Sequence, residues 1–357
     1  MRTHCALPIL LASVLTVLAV APAASAATKT VYAGAPFVGQ PSGAPDAFDL
    51  NGFYRRRVSV NVGDTVAWQF RGFHTITFAG AEDAPPFIVP DPANPYAGVN
   101  DAAAAPFWFN GQPSLTINPR VAAPSGERAT SGQAFRNSGL PLGDRPRAYR
   151  LKFTRAGKFS YLCVVHPGMR ASVKVVNRRR ATPSARADAR AARREAAVDI
   201  RRGRRLSGYR PSGNRVVAGH DRGPSTFFRF FPTTKRVKVG QAVQFAIDSR
   251  TEIHNVAFGP RAYRTRLARD MIMPRPAQGG PPVLQLSPLV FLPSDPPPTV
   301  PPFTGANHGN GFLNTGILDR DPASPTPPSA TVTFTRAGRF EYECLIHPGM
   351  RGSIRVE

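Results

Sequence analysis

Residues 153–169 read FTRAGKFSYLCVVHPGM, and residues 334–350 read FTRAGRFEYECLIHPGM. The two segments align without a gap at a separation of 181 residues, and most of their positions are identical. Chance does not produce a match of this length, so the sequence predicts a duplicated domain. Each copy carries a cysteine, a histidine and a methionine in the pattern Cys-x-x-His-x-x-Met, and this pattern holds most of the chemistry in the chain.

The repeat extends towards the N-terminal side of both segments. Residues 60–66 (VNVGDTV) correspond to residues 237–243 (VKVGQAV), and residues 73–78 (FHTITF) correspond to residues 253–258 (IHNVAF), with a small length difference in the loop before the second histidine. Alternating apolar residues around glycine turns predict short strands, and their succession predicts an antiparallel β-sandwich. We expect an all-β chain with one domain over residues 27–176 and a second over residues 214–357.

Residues 177–213 break this pattern with a run rich in arginine and alanine. The composition favours a helix, but alanine methyl groups bury little surface, so a frayed or solvated helix is expected. We interpret the segment as a basic linker, a charged spacer that holds two domains apart; a docking site for an anionic partner is the alternative.

Long segments rich in proline and glycine, residues 79–148 and 259–329, separate the single histidine from the cysteine in each half. They too are related, because residues 135–140 (FRNSGL) resemble residues 312–317 (FLNTGI). We expect a strand at this motif in both halves. The proline runs at 296–298 and 301–302 predict extended loop.

The N-terminus predicts export. An apolar run over residues 6–21 is followed by the small residues Ala24-Ser25-Ala26, as in a secretory signal peptide that spans residues 1–26. A retained membrane anchor is the alternative, although Pro8 and Pro22 interrupt a run that is already short. No other segment is apolar enough to span a membrane. Removal of Cys5 leaves Cys163 and Cys344, which could form a disulfide in an exported protein.

The charge is strongly positive, with 46 Lys and Arg residues against 22 Asp and Glu residues and a net charge of +24. No nucleic-acid-binding motif is present. Outside a membrane, such a charge favours acidic protein partners or anionic polymers of the cell envelope. We therefore expect an acidic redox partner for an exported protein located in the periplasm, the cell envelope or the medium.

The Cys-x-x-His-x-x-Met loop brings a thiolate, an imidazole and a thioether together, and a histidine from a distant strand would add a second nitrogen. A His2Cys plane with a weak axial methionine suits an ion that alternates between Cu(I) and Cu(II). Zinc also accepts two histidines and a thiolate, but it gains nothing from a methionine at the same offset in both copies. The pattern therefore favours two copper sites.

On these motifs the sequence resembles two tandem members of the cupredoxin family, which includes plastocyanin, azurin and amicyanin; the short Cys-x-x-His-Pro-x-Met loop is most like that of amicyanin. The resemblance implies two Greek-key sandwiches, each with one type 1 (blue) copper. It implies that the C-terminal loop histidines reach the surface in an apolar patch with Pro167 and Pro348. The implied ligands are His74, Cys163, His166 and Met169 for the first site and His254, Cys344, His347 and Met350 for the second.

The two sites differ at the residue after the first histidine. In the family this residue is usually an asparagine that ties the two ligand loops together, and Asn255 fits, whereas the first half has Thr75. A threonine hydroxyl can still make a hydrogen bond, with fewer donors and acceptors. We therefore expect the reduction potential or the rigidity of the two sites to differ.

The function implied is that of an electron carrier, not an enzyme. Two-domain relatives of the nitrite reductase and small laccase types have a histidine beside the type 1 cysteine and a second copper centre, which could lie between subunits. Here the neighbours are Leu162, Val164, Glu343 and Leu345. Beyond the predicted ligands and His4, only His220 and His308 remain, and we expect both in exposed loops without metal. We expect no general acid or base near the motif. Copper storage or delivery, and adhesion to the cell envelope, are further alternatives.

Overall fold

The computed structural model describes residues 26–37, 46–80, 82–142, 148–177, 180–277 and 280–357. Apart from Ala26, the predicted signal peptide lies outside the described residues. Among the helices that are described, none is both long and apolar enough to cross a bilayer. Residues 27–176 and 214–357 are referred to below as the first and second halves.

The described part of the first half is built from strands and one short helix. The strands are β1 (Thr28–Ala33), β2 (Phe48–Leu50), β3 (Phe53–Tyr54), β4 (Arg57–Asn61), β5 (Thr65–Phe70), β6 (Thr77–Phe78), β7 (Ile88–Pro95), β8 (Pro113–Ile117), β9 (Pro124–Ser125), β10 (Ala129–Thr130), β11 (Arg136–Ser138), β12 (Tyr149–Phe153), β13 (Gly157–Leu162) and β14 (Arg170–Val176). Helix α1 (Pro119–Ala122) lies between β8 and β9.

The helix α2 (Ala185–Leu206) connects the halves, and the second half again consists mainly of strands. Its strands are β15 (Arg215–Arg222), β16 (Ser225–Phe231), β17 (Thr234–Val237), β18 (Ala242–Asp248), β19 (Ala257–Phe258), β20 (Ile272–Ala277), β21 (Gly280–Leu286), β22 (Leu313–Asn314), β23 (Ser329–Thr333), β24 (Gly338–Glu343) and β25 (Arg351–Val356). Its helices are α3 (Arg261–Arg269), α4 (Pro288–Phe291) and a 3₁₀ turn over Asn307–Gly309.

Each half contains two sheets that share an apolar core. In the first half the strand orders are β10-β12-β5-β1-β3 and β4-β14-β13-β6-β11-β9. In the second half they are β2-β16-β15-β18-β23 and β17-β25-β24-β19-β22. Trp68 and Tyr161 meet edge to face at 5.3 Å between the first pair, and Phe245 and Tyr342 meet at 5.2 Å between the second. The prediction of an all-β chain of sandwiches is confirmed.

The two halves interlock through strand β2. It belongs to the first half in sequence, yet it pairs antiparallel with β16 of the second half, with Leu50 opposite Ser225 and Phe48 opposite Phe227. Asn51 continues the contact, since its backbone N–H donates to the Pro224 carbonyl at 2.8 Å. Hydrogen bonds in one sheet therefore fix the orientation of the first half relative to the second.

The proline- and glycine-rich segments also join the halves. They form a four-stranded sheet in the order β20-β21-β8-β7, in which Gln285 pairs with Thr116. The strands expected over residues 135–140 and 312–317 are present as β11 and β22, and the proline runs at 296–298 and 301–302 lie outside helices and strands. An apolar cluster that includes Phe109, Leu286 and Phe291 fills the space under this sheet.

Helix α2 is packed, so the expectation of a frayed or solvated helix is wrong. Ser184 caps its N-terminus by accepting a hydrogen bond from the Ala187 N–H at 3.2 Å. Ala192, Ala196 and Ile200 recur at intervals of four and lie buried against a cluster that contains side chains from both halves. The helix therefore does not hold the two halves apart.

Buried acidic residues explain why a helix with so few large apolar side chains packs at all. Asp188 is 2% exposed and binds Arg55 at 2.8 Å, with Lys29 at 3.5 Å. Asp199 is 1% exposed and accepts a hydrogen bond from the Tyr54 hydroxyl at 3.0 Å. The sequence analysis counted only apolar surface and left out these charge-assisted contacts, which are about twice as strong as neutral hydrogen bonds.

Candidate metal centres

The first candidate centre lies at one end of the first sandwich. His74 follows strand β5, and Cys163 directly follows β13. The loop from Cys163 to Met169 is closed by two backbone hydrogen bonds: Cys163 N–H donates to the Met169 carbonyl at 3.0 Å, and Met169 N–H donates to the His166 carbonyl at 3.1 Å. This tight turn directs the cysteine, histidine and methionine towards the core.

Three predicted ligands of the first half meet in one place, and they are referred to as the first cluster: His74, Cys163 and His166. The Nδ1 atoms of His74 and His166 are 3.0 Å apart, and Cys163 Sγ lies 3.5 Å from His166 Nδ1. Met169 is 3% exposed and belongs to the same apolar core as Cys163. The structure thus brings His74 to Cys163, which lies 89 positions further along the chain, as the motif predicts.

The second cluster, formed by His254, Cys344 and His347, repeats this geometry. The two Nδ1 atoms are 3.1 Å apart, and Cys344 Sγ lies 3.7 Å from that of His254 and 3.6 Å from that of His347. Met350 is 1% exposed and shares a core with Cys344. Among the described residues, these are the two groups of three or more potential ligands that converge closely enough to hold one ion.

Both donor sets fit a metal ion. Nitrogen and sulfur donors stand about 2.0–2.3 Å from a bound metal, so donors to one ion lie about 3–4 Å from each other, as the ligand atoms do here. Cys163 and Cys344 are both buried and unpaired, which rules out the alternative of a disulfide between them. Ligation of an ion by these residues itself stays a prediction.

The histidines favour a thiolate in each cluster. Burial alone would raise the pKa of Cys163, but the neighbouring His166 and His74 hold it well below its usual value. Burial acts in the same direction on Cys344, and His254 and His347 again hold its pKa well below the usual value. A thiolate is the form of cysteine that binds metals, so both clusters have the charge state that ligation requires.

The residue after the first histidine ties the two ligand loops together in both halves. In the second half the Asn255 side-chain oxygen accepts from Leu345 N–H at 2.7 Å, and its amide donates to the Val290 carbonyl at 2.7 Å. In the first half the Thr75 hydroxyl accepts from Val164 N–H at 3.0 Å. The expectation that threonine still makes this hydrogen bond is confirmed.

The C-terminal loop histidine of the first half is buried and that of the second half is only partly exposed, so the expectation implied by the family, that both reach the surface, is not met by this chain. The side chain of His166 is 6% exposed, and that of His347 is 18% exposed. The second half covers His166, and the ring of Phe228 stacks on His347 at 4.7 Å. Pro167 and Pro348 are exposed, but the histidine edges beside them face inwards.

A carboxylate joins these two histidines, although no general acid or base was expected near the motif. Glu252 Oε1 lies 3.1 Å from His166 Nε2, and Glu252 Oε2 lies 3.3 Å from His347 Nε2. The same carboxylate accepts a hydrogen bond from the Asn51 amide. Glu252 stands two residues before His254 in a loop that is longer in the second half, so the length difference was the one available signal.

The Glu252 side chain is 5% exposed. Burial alone would raise its pKa, but the charges and hydrogen bonds of His166 and His347 hold that pKa well below the usual range. In turn, burial lowers the pKa of His166 less than Glu252 and Cys163 raise it. The three side chains thus form one hydrogen-bonded and charged unit between the two clusters.

The remaining histidines do not lie in exposed loops, which corrects a further expectation. His220 is half-buried on strand β15, where it stacks on Tyr209 at 4.2 Å and binds Asp248 at 2.9 Å through Nδ1. His308 is half-buried in the 3₁₀ turn between Asp101 and Asp295, at 3.3 Å from each. Neither belongs to a group of converging ligands among the described residues.

No family model and no curated protein matches the chain. Solved structures that are similar include an amicyanin variant in its Cu(I) form, at 18% identity over 42% of this chain and 82% of that one, with a TM-score of 0.21. An oxidised plastocyanin from Dryopteris crassirhizoma matches at 18% identity over 40% of this chain and 99% of that one, also with a TM-score of 0.21. At these TM-scores the similarity carries no weight for fold or function.

Proposed function

We propose that this protein is an exported copper protein that holds one type 1 copper in each half and carries single electrons between redox partners. One observation carries the proposal. In each half, two histidine nitrogens and a cysteine sulfur converge within 4.8 Å of one another beside a buried methionine on the same loop. This donor set is typical of blue-copper electron-transfer sites.

The donor chemistry favours copper over zinc. Bound copper would supply a one-electron couple, and His74, Cys163, His166 and Met169 would hold it in the first half. His254, Cys344, His347 and Met350 would hold it in the second. A buried thioether is a soft ligand that stabilises Cu(I), whereas structural zinc sites are formed by cysteine, histidine and carboxylate. Both methionines are buried in a core, so neither serves as a surface residue.

The protein would contribute rigidity to the electron transfer. The turn between Cys163 and Met169 is held by two backbone hydrogen bonds, and the turn between Cys344 and Met350 is held by the same two at 3.0 and 3.2 Å. Thr75 and Asn255 fasten each turn to the loop of the other histidine. Fixed ligands reduce the movement that accompanies a change of charge, which favours a carrier.

Two observations favour a carrier over an oxidoreductase with a further copper centre. Such a centre needs additional histidines, and His220 and His308 are each engaged by aspartates and belong to neither cluster. Leu162, Val164 and Leu345 flank the cysteines and provide no ligand for a second metal there. The fourth neighbour, Glu343, is paired with Arg264 and Arg351. Copper delivery is disfavoured as well, because both clusters are buried and would exchange metal slowly.

The surface charge favours an acidic redox partner. Helix α2 presents several exposed arginines on its outer face: Arg186, Arg190, Arg193, Arg194, Arg201 and Arg205. A concentrated positive face increases the association rate with an acidic protein, and salt weakens the effect. The proposal therefore predicts that the bimolecular rate with an acidic partner falls as ionic strength rises.

Copper content and visible absorption of the purified chain test the proposal. We expect about two coppers per chain and an intense visible band that disappears on reduction. Cys163→Ser and Cys344→Ser should each remove one copper and the matching part of the band. His220→Gln is the matched control, since that histidine lies outside both clusters, and it should retain both coppers. A colourless protein that binds zinc in preference to copper would overturn the proposal.

A further inference from the structure

The two clusters face each other across a single carboxylate. His166 Nδ1 points to the first cluster while its Nε2 meets Glu252 Oε1, and His347 Nδ1 points to the second cluster while its Nε2 meets Glu252 Oε2. Each oxygen of the carboxylate therefore contacts a histidine of a different half. The connection from one cluster to the other contains two imidazole rings, one carboxylate and two hydrogen bonds.

The bridge is fixed from both sides. On the second half, Asp221 Oδ2 accepts from the Ser249 hydroxyl at 2.6 Å and from Thr251 N–H at 3.0 Å, and Ser249 in turn accepts from Glu252 N–H at 3.0 Å. On the first half, the Asn51 amide donates to the same carboxylate. Glu252 is thus held in place by its own loop and by the partner half.

The bridge is also shielded from water. Glu252, His166 and Asn51 are all less than 9% exposed, and Phe228 stacks on the ring of His347. A buried carboxylate is costly unless all its hydrogen bonds are satisfied. Here the two histidines and Asn51 provide those bonds. The carboxylate therefore stands between a ligand of one cluster and a ligand of the other.

We propose that Glu252 is the electron-transfer bridge between two copper centres, a role that rests on the function proposed above. Bound copper would supply the one-electron couple at each end, so one centre would be oxidised as the other is reduced, and His166, Glu252 and His347 would form the path between them. No proton has to move with the electron, because Nε2 of His166 and Nε2 of His347 each keep their contact with a carboxylate oxygen. No external oxidant or reductant enters this step.

The bridge defines what kind of carrier this is. In a carrier with exposed histidine edges, each centre would exchange electrons with a partner on its own. Here the edges of His166 and His347 are directed at each other, so the two centres would share an electron within the chain before it leaves. The Glu252 carboxylate contacts a ligand histidine of each centre. Oxidation of one centre should therefore change the reduction potential of the other.

Intramolecular electron redistribution in the copper-loaded full chain tests the bridge. Met169→Gln would change the axial ligand of the first centre and so separate its absorption band from that of the second. In this background, one electron per chain is delivered by pulse radiolysis and its redistribution between the two bands is followed. Adding Glu252→Gln should slow the redistribution about 10-fold to 100-fold, with both bands retained.

Two further variants sharpen the experiment. Glu252→Asp keeps the charge but shortens the side chain by one methylene, so it cannot reach both histidines, and it should slow the redistribution as well. Glu195→Gln makes the same chemical change as Glu252→Gln at a half-buried glutamate that binds the Arg56 backbone, and it should leave the rate unchanged. Unchanged redistribution in Glu252→Gln and Glu252→Asp, with both bands present, would refute the bridge and leave the proposed function standing.

A measurement that needs no copper separates the proposal of an electron carrier from the proposal of the Glu252 bridge. In NMR spectra of the metal-free chain, the Nε2 protons of His166 and His347 should exchange slowly and should lose this protection in Glu252→Gln. Protected protons in a chain that binds no copper would contradict the proposed function alone. A third metal ion per chain that is lost in Glu252→Gln would contradict the bridge, because an ion would then occupy the place of the hydrogen bonds.

Discussion

The first and second clusters have the same inner geometry and different surroundings. The distance between histidine Nδ1 atoms is 3.0 Å in the first and 3.1 Å in the second, and each cysteine follows a strand that leads into the same turn. Around them, Thr75 stands where the second half has Asn255, and the second half alone supplies Glu252. His347 is also three times as exposed as His166, at 18% against 6%.

This contrast shows which features a duplicated domain keeps and which it can change. The ligand turn is closed by backbone hydrogen bonds within the turn itself, so it stays the same when the surroundings differ. The loop before His254 differs in length between the halves, and its extra length allows Glu252 to reach the other half. The two clusters are therefore equivalent in their ligands and unequal in their connections.

The largest expected effect concerns the cores that support the clusters. Trp68 and Phe245 occupy matching places on β5 and β18, and both are fully buried against a tyrosine. Trp68→Ala and Phe245→Ala should each lower the free energy of unfolding by about 3–5 kcal/mol, because they leave large cavities. Chemical denaturation monitored by circular dichroism measures this.

The same experiment tests how tightly the halves are joined. Because β2 completes a sheet of the second half, we expect one unfolding transition for either variant. Two separate transitions, with only the altered half destabilised, would show that the interlocking is weak. Val239→Ala, at a side chain that is 48% exposed, is the control and should change the free energy by less than about 0.5 kcal/mol.

The second prediction exchanges the residues that distinguish the clusters. Asn255→Thr removes an amide that donates to the Val290 carbonyl, so we expect copper affinity at the second cluster to fall about 10-fold to 100-fold. Thr75→Asn should have a smaller effect, since the Thr75 hydroxyl makes the loop contact already. Competition with a Cu(I) chelator measures both affinities.

Asn94→Thr provides the control for this exchange, because Asn94 is exposed and its side-chain amide donates to the carboxylate of Asp91. Its copper affinity should equal that of the unaltered chain. Equal affinities in Asn255→Thr and in the control would mean that the asparagine contact does not distinguish the clusters.

A third prediction concerns helix α2, which is shared by both halves. A Cβ atom at Gly203 would lie 2.2 Å from the ring of Phe48 on β2, so Gly203→Ala should destabilise the chain by about 1–3 kcal/mol despite its better helix propensity. Gly208→Ala is the control, because nothing lies within 4 Å of the new methyl group. Thermal unfolding of the two variants provides the comparison, and equal stability would contradict the close packing.

The smallest expected effect is a pH dependence at the contact between the proline-rich segments. His308 of the second half lies between Asp101 and Asp295, and the hydrogen bond to Asp295, opposed by partial burial, raises its pKa. A histidine with a raised pKa contributes stability below its unfolded pKa of about 6.5, and the contribution is lost as pH rises through the higher folded value. We expect the free energy of unfolding to fall by about 1 kcal/mol over that pH interval.

His308→Asn tests the assignment of that pH dependence. Stability measured from pH 6 upwards avoids the titration of Asp101 and Asp295, whose pKa values are lowered. In the variant, the free energy of unfolding should not show the decline with rising pH that the unaltered chain shows. A decline of the same size in His308→Asn would assign it to another group.

Local pattern predicted much of the fold and the ligand set. The strands at the ligand loops and the insertion motifs follow from alternation and repetition, and the convergence of His74 with Cys163 follows from the motif. The orientation of the halves did not follow, because it depends on β2 pairing with β16, a contact between the halves that alternation and repetition within each half do not indicate. Burial of His166 and the role of Glu252 depend on that orientation and were missed with it.

The error about α2 has a different cause. Its sequence was judged by apolar surface, and alanine supplies little. Asp188 and Asp199 appeared as two more charges in a charged run, whereas both are buried and bound to cations or to Tyr54 of the first half. A spacing of eleven residues places them on one helix face, so helical periodicity of the acidic residues was the signal available.

Electron paramagnetic resonance of the fully oxidised, copper-loaded chain tests the central claim of two copper centres that face each other. Cys163→Ser and Cys344→Ser would each leave one isolated Cu(II) and provide the reference spectra. The unaltered chain should give a spectrum broadened by magnetic interaction between the two ions, and this broadening should be absent from both variants. A spectrum equal to the sum of the two single-centre spectra, or one without type 1 copper, would contradict the account.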